Sequence, residues 1–325
     1  MMVLCATDIR VAYAGSPVER IAFGSCLHQD RPQPVWQAVQ AFNPDVFIFA
    51  GDNVYGDILA ESTDPLKQAY QRAGTNLVDL KLGKVLATWD DHDYGADDAG
   101  GDFRFRAASK ELFLNFWKAP ADDPRRSREG IYSASFYGAA PERVQIILLD
   151  TRSFRSRLVL GNPVAAGYES SSEHGKTMLG EAQWAWLENQ LDQPADLRLI
   201  VSSIQVLATA HGGERWDVFP HERSRLLNMI AGRNRGTVLL ISGDRHFGAF
   251  YSVRLKGEEI LEITSSGLNL SAEQRENPVP QQLGDPLEAV NFGTLSIDWN
   301  LRTAIVALHD GTGLVVQQQI LSLGQ

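Results

Sequence analysis

The chain has 325 residues, of which 44% are hydrophobic and 22% charged, and its formal net charge is −10. This is enough chain to bury a large core, and its acidic balance argues against a dedicated nucleic-acid binder. Its longest apolar runs, such as residues 46–50, fall far short of the roughly 20 residues of a membrane helix, and its two cysteines, Cys5 and Cys26, exclude a disulfide scaffold.

The N-terminal residues 1–6 have neither a basic region nor an apolar stretch long enough for a signal peptide. We therefore expect a protein that is cytoplasmic as written, or exported with its leader removed. Residues 1–20 are expected to be a lead-in segment. No linker rich in Pro, Gly or Ser divides the rest, so residues 21–325 are expected to form one domain.

Short β-branched and aromatic runs alternate with helical patterns along the first half of the chain. The predicted strands are residues 20–23, 46–50, 84–88, 131–137 and 144–149. The predicted helices are residues 34–42, 64–82 and 107–117. Asp64 is expected to be the N-cap of the second helix, with Pro65 at its first position. Continuously apolar strands between helices indicate an α/β fold with buried strands.

The second half begins in the same way and then changes. Helices are predicted at residues 181–191 and 221–231, and strands at 197–202 and 238–241. Beyond residue 249 only strands are predicted, at 251–255, 260–264, 294–297, 303–308 and 314–320. This change indicates a second, more antiparallel sheet in a layered domain. Residues 271–286, which include three prolines, are predicted to be a loop.

Residues of the types that bind metals follow four of the predicted strands. The loops read GSCLH from residue 24, GDNVYGD from residue 51, DDHD from residue 90 and SGDRH from residue 242. Ligands of open α/β sheets sit beyond the carboxyl ends of the strands, so these loops are expected to share one crevice. Carboxylates packed together repel one another unless cations neutralise them. The sequence therefore predicts a metal cluster.

The donor types narrow the choice of metal. Carboxylates and imidazole suit two or more hard or borderline cations, and here they come from Asp52, Asp91, Asp244 and His246. A Cys26 thiolate and a Tyr55 phenolate favour a ferric ion over magnesium or calcium. Asp52 is expected to bridge two metals, because its loop carries Tyr55 three residues later.

These motifs resemble those of the alkaline phosphatase D (PhoD-like) metallophosphatases, within the calcineurin-like metallophosphoesterase superfamily. The resemblance depends on FGSC at 23–26, GDNVYGD at 51–57, WDDHD at 89–93 and GDRH at 243–246, together with LDTR at 149–152 and LGEAQWAWL at 179–187. It implies an α/β fold of two packed mixed β-sheets flanked by helices, an αββα sandwich. It also implies that residues 21–325 are the catalytic domain.

The resemblance further implies a cofactor set and roles for individual residues. It implies Fe³⁺ held by Cys26, Asp52, Tyr55 and Asp244, and one or more divalent ions, with Ca²⁺ expected, bound with the help of Asp52, Asp91 and His246. It implies hydrolysis of a small phosphorylated substrate by a metal-bound hydroxide. His92 is the candidate general acid or leaving-group stabiliser, and Asn53 and Arg245 are expected to contact phosphate oxygens.

Several alternatives stay open. A phosphodiesterase could share this metal core with the expected phosphomonoesterase, since the two differ mainly in the room for a second ester group. A third hypothesis is a binding protein that has the same fold and no catalytic activity. A Ser-His-Asp hydrolase would need a Gly-x-Ser-x-Gly elbow, which the sequence lacks. His28, Asp97 and His211 are each a candidate ligand or an ordinary loop residue.

Overall fold

Residues 17–59, 61–161, 167–209, 211–231, 236–271 and 279–324 are described by a computed structural model. Most of the predicted lead-in segment lies outside these ranges, with Cys5, as does the middle of the predicted loop at 271–286. None of the helices in these ranges combines the length and the apolar content that crossing a bilayer requires.

The first of two large sheets has six strands and joins the two ends of the described chain. Three parallel strands come from the N-terminal part: β1 (Arg20–Gly24), β2 (Val46–Ala50) and β3 (Lys84–Thr88). Three antiparallel strands continue the sheet beyond β1: β13 (Asn291–Asp298), β14 (Thr303–Asp310) and β15 (Val315–Ser322). The sheet order is β15-β14-β13-β1-β2-β3.

The second sheet has seven strands. Its parallel strands are β5 (Val144–Leu148), β8 (Leu197–Val201), β9 (Thr237–Ser242) and β11 (Glu258–Ser265). Antiparallel strands lie on either side: β4 (Ser133–Tyr137), β10 (Gly248–Leu255) and β12 (Gln282–Leu287). A separate short ribbon pairs β6 (Val159–Leu160) with β7 (Tyr168–Glu169).

Helices cover the outer faces of both sheets. They are α1 (Val35–Phe42), α2 (Asp64–Leu77), α3 (Asp91–Tyr94), α4 (Arg106–Phe116), α5 (Pro124–Ser127), α6 (Gly180–Leu191) and α7 (Pro220–Ala231), with a 3₁₀ turn at Trp216–Val218. Successive side chains of a strand point to opposite faces of the sheet, so neighbouring residues pack in different layers. Ile146 and Leu148 pack between the two sheets, whereas Ile147 packs outward with Leu187 of α6. The predicted αββα sandwich is confirmed.

The structure corrects the sequence analysis in four places. The last three strands join the first sheet instead of a separate antiparallel one, because β13 pairs directly with β1. Residues 282–286 of the predicted loop belong to β12, which pairs with β10. The second helix ends at Leu77, and Asp64 is its first residue while Thr63 occupies the cap position. Strand β4 begins at Ser133, two residues later than predicted.

Candidate metal centre

The four predicted loops meet in one crevice beyond the carboxyl ends of β1, β2, β3 and β9. A cavity of about 320 Å³ opens there, lined by Asp52, Asp91, His92, Asp97, Asp98, Gly213, Glu214, Asp244, Arg245 and His246. The two sheets are joined at this end, because the Ser25 amide donates to the Ser265 carbonyl at 3.0 Å. The expected convergence of the strand ends is present in the structure.

Four of the predicted ligands have a left-handed backbone. The φ angles are 61° at Cys26, 51° at Asp52, 72° at Asp244 and 58° at His246. A residue other than glycine in this region costs of order 1 to 3 kcal/mol and persists only where its surroundings hold it there. The adjoining Gly51 has φ 110°, and a Cβ at this position would lie 2.7 Å from Cβ of Asp90. The strand ends therefore turn sharply, and these turns direct the donor atoms into the crevice.

The first group of donors combines a thiol, a carboxylate and an imidazole. The ligand atoms of Cys26, Asp52 and His246 lie within 4.8 Å of one another. The Tyr55 hydroxyl joins them, 3.1 Å from Asp52 Oδ2 and 3.2 Å from His246 Nε2. A single cation could contact a sulfur, a carboxylate, an imidazole and a phenol here.

Carboxylates dominate the two other groups. One consists of Asp52, Asp91 and His92, and the other of Asp90, Asp91 and Asp244. Asp52 belongs to the first and second groups, so it can face two cations, as the sequence analysis expects. The grouping places His246 beside Cys26 and Asp244 beside Asp91, whereas the resemblance implies the reverse. The division of ligands between ions stays a prediction.

The crevice is short of positive charge. Burial raises the pKa of the Cys26 thiol to about 11. Burial and the neighbouring Asp91 carboxylate raise the pKa of Asp52 well above its ordinary value. Burial also raises the pKa of Asp244 to about 6, in spite of the adjacent Arg245 guanidinium. Buried acidic groups of this kind favour their protonated form more than free ones do, and a bound metal cation can replace the proton.

Asp91 differs from its neighbours. Burial alone would raise its pKa, but Arg152, His92 and a hydrogen bond from the Asp98 amide outweigh burial and lower the pKa to about 2. The Asp98 amide donates to Asp91 Oδ2 at 2.7 Å, and the His92 amide donates to Oδ1 at 2.9 Å. Asp91 is therefore an anion in the crevice.

Asn53 is placed differently from the prediction. Its Nδ2 donates to the Thr88 carbonyl at 2.8 Å and to Asp93 Oδ2, so both N–H donors are used inside the protein. This arrangement does not support the predicted contact to phosphate oxygens, because a phosphate oxygen needs a donor. Its Oδ1 is buried without a hydrogen-bond partner among the described residues, as is Asp90 Oδ2.

The donor set fits metal ions. Buried polar atoms are normally paired, and here two buried oxygens beside a thiol and several carboxylates lack a hydrogen-bond partner in the described part of the chain. Cations would satisfy these oxygens and offset the mutual repulsion of the carboxylates. The residues present therefore suit a metal centre with both sulfur and oxygen ligands.

His92 is bonded to a carboxylate of the neighbouring loop. Its Nδ1 lies 2.9 and 3.0 Å from the two oxygens of Asp57. Burial lowers the pKa of His92, but the bond to Asp57 and the charges of Asp52 and Asp91 outweigh burial and raise the pKa to about 11. Cations on Asp52 and Asp91 would cancel part of this effect, whereas the bond to Asp57 would persist. Asp57 therefore fixes the ring and favours its protonated form.

Arg245 lines the crevice between two predicted ligands. Its Nη1 is 3.4 Å from Asp244 Oδ2, and its guanidinium packs on Gly213, where any Cβ would collide with it. Gly213 therefore provides the space in which the Arg245 side chain lies along the crevice.

A buried network of arginines and carboxylates adjoins the crevice, and we call it the arginine network. Arg152 Nε donates to Asp90 Oδ1 at 2.7 Å, and its Nη1 is 2.5 Å from Glu214 Oε2. Arg155 Nε is 2.6 Å from the other Glu214 oxygen. All four side chains are at most 1% exposed. Sequence analysis missed this network, although Arg152 belongs to the LDTR run that supports the resemblance.

The three residues with open roles lie outside the donor groups found among the described residues. His28 stacks on Tyr55 at 5.1 Å, and its Nδ1 accepts from the Asp30 amide. Asp97 has a side chain that is 81% exposed and lies 3.9 Å from His92 Nε2. His211 Nδ1 accepts from the Gly213 amide at 3.2 Å, and burial lowers its pKa to about 3.

Comparison with known proteins places this arrangement in context. The model of the PhoD-like phosphatase family matches residues 21–291. Alkaline phosphatase D of Bacillus subtilis (strain 168) is 26% identical over 108 residues, which are 30% of this chain and 18% of that protein. The matched part is thus less than a fifth of that relative.

Two solved structures share the fold. The match to the structure of PhoD covers 97% of this chain and 73% of the PhoD chain, with a TM-score of 0.70 at 17% identity. The match to a purple acid phosphatase from yellow lupin (Lupinus luteus) seeds covers 95% of this chain and 54% of the phosphatase chain, with a TM-score of 0.66 at 10% identity. The predicted metallophosphoesterase-type fold is confirmed.

Proposed function

The chain belongs to the PhoD-like phosphatase family, and from this premise we propose that it is a metal-dependent hydrolase of phosphoric monoesters. The observation that supports the proposal is the metal crevice itself. Cys26, Asp52, Asp91 and His246 come from different strand ends and place their donor atoms together. Charge of this density suits a site that binds cations and, through them, a phosphoryl group.

We propose that the crevice holds Fe³⁺ and Ca²⁺. The group of Cys26, Asp52, Tyr55 and His246 suits the ferric ion, because thiolate, phenolate and imidazole are its characteristic donors. The oxygens of Asp91 and Asp244 suit calcium, which prefers oxygen ligands. The bound ions would supply charge neutralisation at the phosphoryl oxygens and acidification of the attacking water.

The protein groups around the ions have complementary tasks. His92, protonated and held by Asp57 at 2.9 Å, is positioned to give a proton to the leaving oxygen as the phosphorus–oxygen bond breaks. Arg245, which lines the crevice, is positioned to donate to phosphoryl oxygens. Glu214 and Asp90, both paired with Arg152, hold the surrounding loops in place.

The test compares the hydrolysis of p-nitrophenyl phosphate and bis(p-nitrophenyl) phosphate by the purified protein supplied with iron and calcium. A kcat/KM ratio in favour of the monoester supports the proposal. A ratio in favour of the diester would make the protein a phosphodiesterase with the same crevice. Hydrolysis of neither compound would contradict both and support a binding protein.

Metal identity is tested separately. Elemental analysis of the purified protein should find iron, and a visible absorption band from phenolate-to-iron charge transfer should disappear in Tyr55→Phe. Tyr137→Phe is the matched control, since Tyr137 lies on β4 in the second sheet and should leave the band intact. A band unchanged in Tyr55→Phe would contradict the assignment of Tyr55 as an iron ligand.

A further inference from the structure

A second, larger cavity adjoins the metal crevice. It has a volume of about 590 Å³ and shares Asp97 and Asp98 with the crevice. The lining comes from the segment after the GDNVYGD loop, from the connection between α3 and α4, and from the β6–β7 ribbon. We call this cavity the apolar cleft. The two shared residues place the cleft directly beside the crevice.

The two most exposed large apolar side chains among the described residues line this cleft. Leu59 is 93% exposed and Leu160 is 76% exposed, and both line it. The rings of Phe103, Phe105 and Tyr168 are half-buried in its wall. Grouped apolar surface of this kind is typical of a binding site, whereas single exposed leucines need no explanation.

The arginines of the cleft are already paired with carboxylates. Arg104 lies 2.7 Å from Glu61, Arg157 lies 2.7 Å from Asp102, and Arg155 is buried against Glu214. Asp97 and Asp98 add negative charge at the boundary with the crevice. The cleft therefore provides apolar contact surface without surplus positive charge, which suits an uncharged group better than a second anion.

The geometry around His92 indicates which part of a substrate would enter the cleft. His92 Nδ1 is engaged by Asp57, and its Nε2 points toward Asp97, 3.9 Å away. Asp97 lines both cavities. The ring nitrogen of His92 that is not bonded to Asp57 therefore lies at the boundary between crevice and cleft, and we place the oxygen of the departing alcohol there.

We propose that the apolar cleft binds the alcohol part of the substrate, and that this part is an uncharged alkyl or aryl group. The proposal rests on the proposed function and adds a substrate class to it. During hydrolysis, the water oxygen forms its bond to phosphorus and gives up a proton to the solvent, from which His92 regains its own proton before the next turnover. The bond from phosphorus to the alcohol oxygen breaks, its electron pair stays on that oxygen, and His92 supplies the proton that completes the alcohol.

The first test uses ethyl, butyl and hexyl phosphate, whose leaving groups have similar basicity, with phosphate release as the readout. The wild-type protein should show a kcat/KM about tenfold higher for hexyl than for ethyl phosphate, because the additional methylenes would be about half buried. A flat series with measurable hydrolysis would overturn the inference and leave the proposed function standing. Hydrolysis of none of these esters or of p-nitrophenyl phosphate would overturn both.

Variants of the cleft sharpen the result. Leu160→Ser and, as an independent second variant, Leu59→Ser should each reduce the hexyl-to-ethyl ratio to about threefold or less. Leu301→Ser is the matched control, because Leu301 is 72% exposed and lies in the β13–β14 turn, away from both cavities. A ratio that falls equally in the control, or in neither cleft variant, would contradict the proposed contact.

The charge argument has its own test. Hexyl phosphate is compared with the phosphate monoester of 6-hydroxyhexanoate, which has the same chain length and ends in a carboxylate. We expect kcat/KM to be about tenfold lower for the carboxylate. If the carboxylate is preferred, then Arg104 or Arg157 binds an anion, and the cleft selects charged leaving groups.

Discussion

The metal crevice and the arginine network are both buried and both rich in carboxylates, yet they differ in how directly the chain supplies the balancing positive charge. Asp90 and Glu214 in the network are paired with the buried side chains of Arg152 and Arg155. Among the described residues, the basic side chains that line the crevice are Arg245, His92 and His246, and Arg152 of the network also lowers the pKa of Asp91.

The two sets meet at Asp90, which is paired with Arg152 and also belongs to a donor group with Asp91 and Asp244. Burial without sufficient protein counter-charge raises pKa values, as at Asp52 and Asp244, and makes an external cation favourable. In the network, burial also raises the pKa of Asp90 and of Glu214 to about 7, but each of these carboxylates has a guanidinium group of the chain within ion-pair distance. Four variants or treatments, from the largest expected effect to the smallest, test this comparison.

Asp52→Ala should have the largest effect, because Asp52 belongs to two of the donor groups. We expect loss of bound metal and a fall in kcat/KM for p-nitrophenyl phosphate of at least about 10³-fold. Metal content by elemental analysis and steady-state kinetics check the result. The exposed Asp79 provides the control Asp79→Ala, and an active, metal-loaded Asp52→Ala protein would contradict the proposed centre.

Arg152→Met should destabilise the fold by about 3 to 5 kcal/mol, since it leaves Asp90 and Glu214 buried without their shared partner. Urea unfolding followed by tryptophan fluorescence measures the free energy. The double variant Arg152→Met with Glu214→Gln should recover part of the lost unfolding free energy, because the buried Glu214 carboxylate is then replaced by a neutral amide. A loss below about 1 kcal/mol would place the network among ordinary surface pairs.

Metal binding should stabilise the crevice and leave the network unaffected. Protein treated with a chelator should gain about 2.7 kcal/mol of unfolding free energy at a free metal concentration a hundred times the dissociation constant. The gain should disappear in the double variant Asp91→Asn with Asp244→Asn. An equal gain in that variant would mean that the stabilising ions bind elsewhere.

Arg157→Met should have the smallest effect, because the Arg157 side chain is 84% exposed in its pair with Asp102. We expect a change below about 1 kcal/mol in the same urea experiment. Together with Arg152→Met, this result would show that burial sets the value of these pairs. If Arg157→Met lowers the free energy of unfolding as much as Arg152→Met does, the distinction between buried and exposed ion pairs is wrong.

The sequence predicted the elements with strong local signals. The sequence predicts the bounds of β2, which is continuously apolar, and of β3, whose apolar residues lie between Lys84 and Thr88. The residue types that bind metals, found after four strands, predict one crevice. In contrast, β12 has the sequence QLGDPL, which shows no apolar period and forms a strand only through its pairing with β10.

Other features depend on contacts between distant residues. Asp90 follows a strand, where an N-cap is the ordinary interpretation, and it does cap α3. It also binds Arg152, which is 62 positions away, and no spacing rule connects the two. The proximity of His246 to Cys26 likewise depends on left-handed backbone at both residues, which a sequence pattern does not reveal.

The pairing of β1 with β13, in which Ala22 lies beside Thr294, has a consequence for biosynthesis. At about 5 to 20 residues per second, on the order of 10 to 60 seconds pass between the emergence of β1 and that of its neighbour from the ribosome. Throughout this interval the loops of Cys26, Asp52 and Asp91 exist without the completed sheet that supports them. We therefore expect the nascent chain to acquire its cations last, after translation has delivered the strand that closes the first sheet.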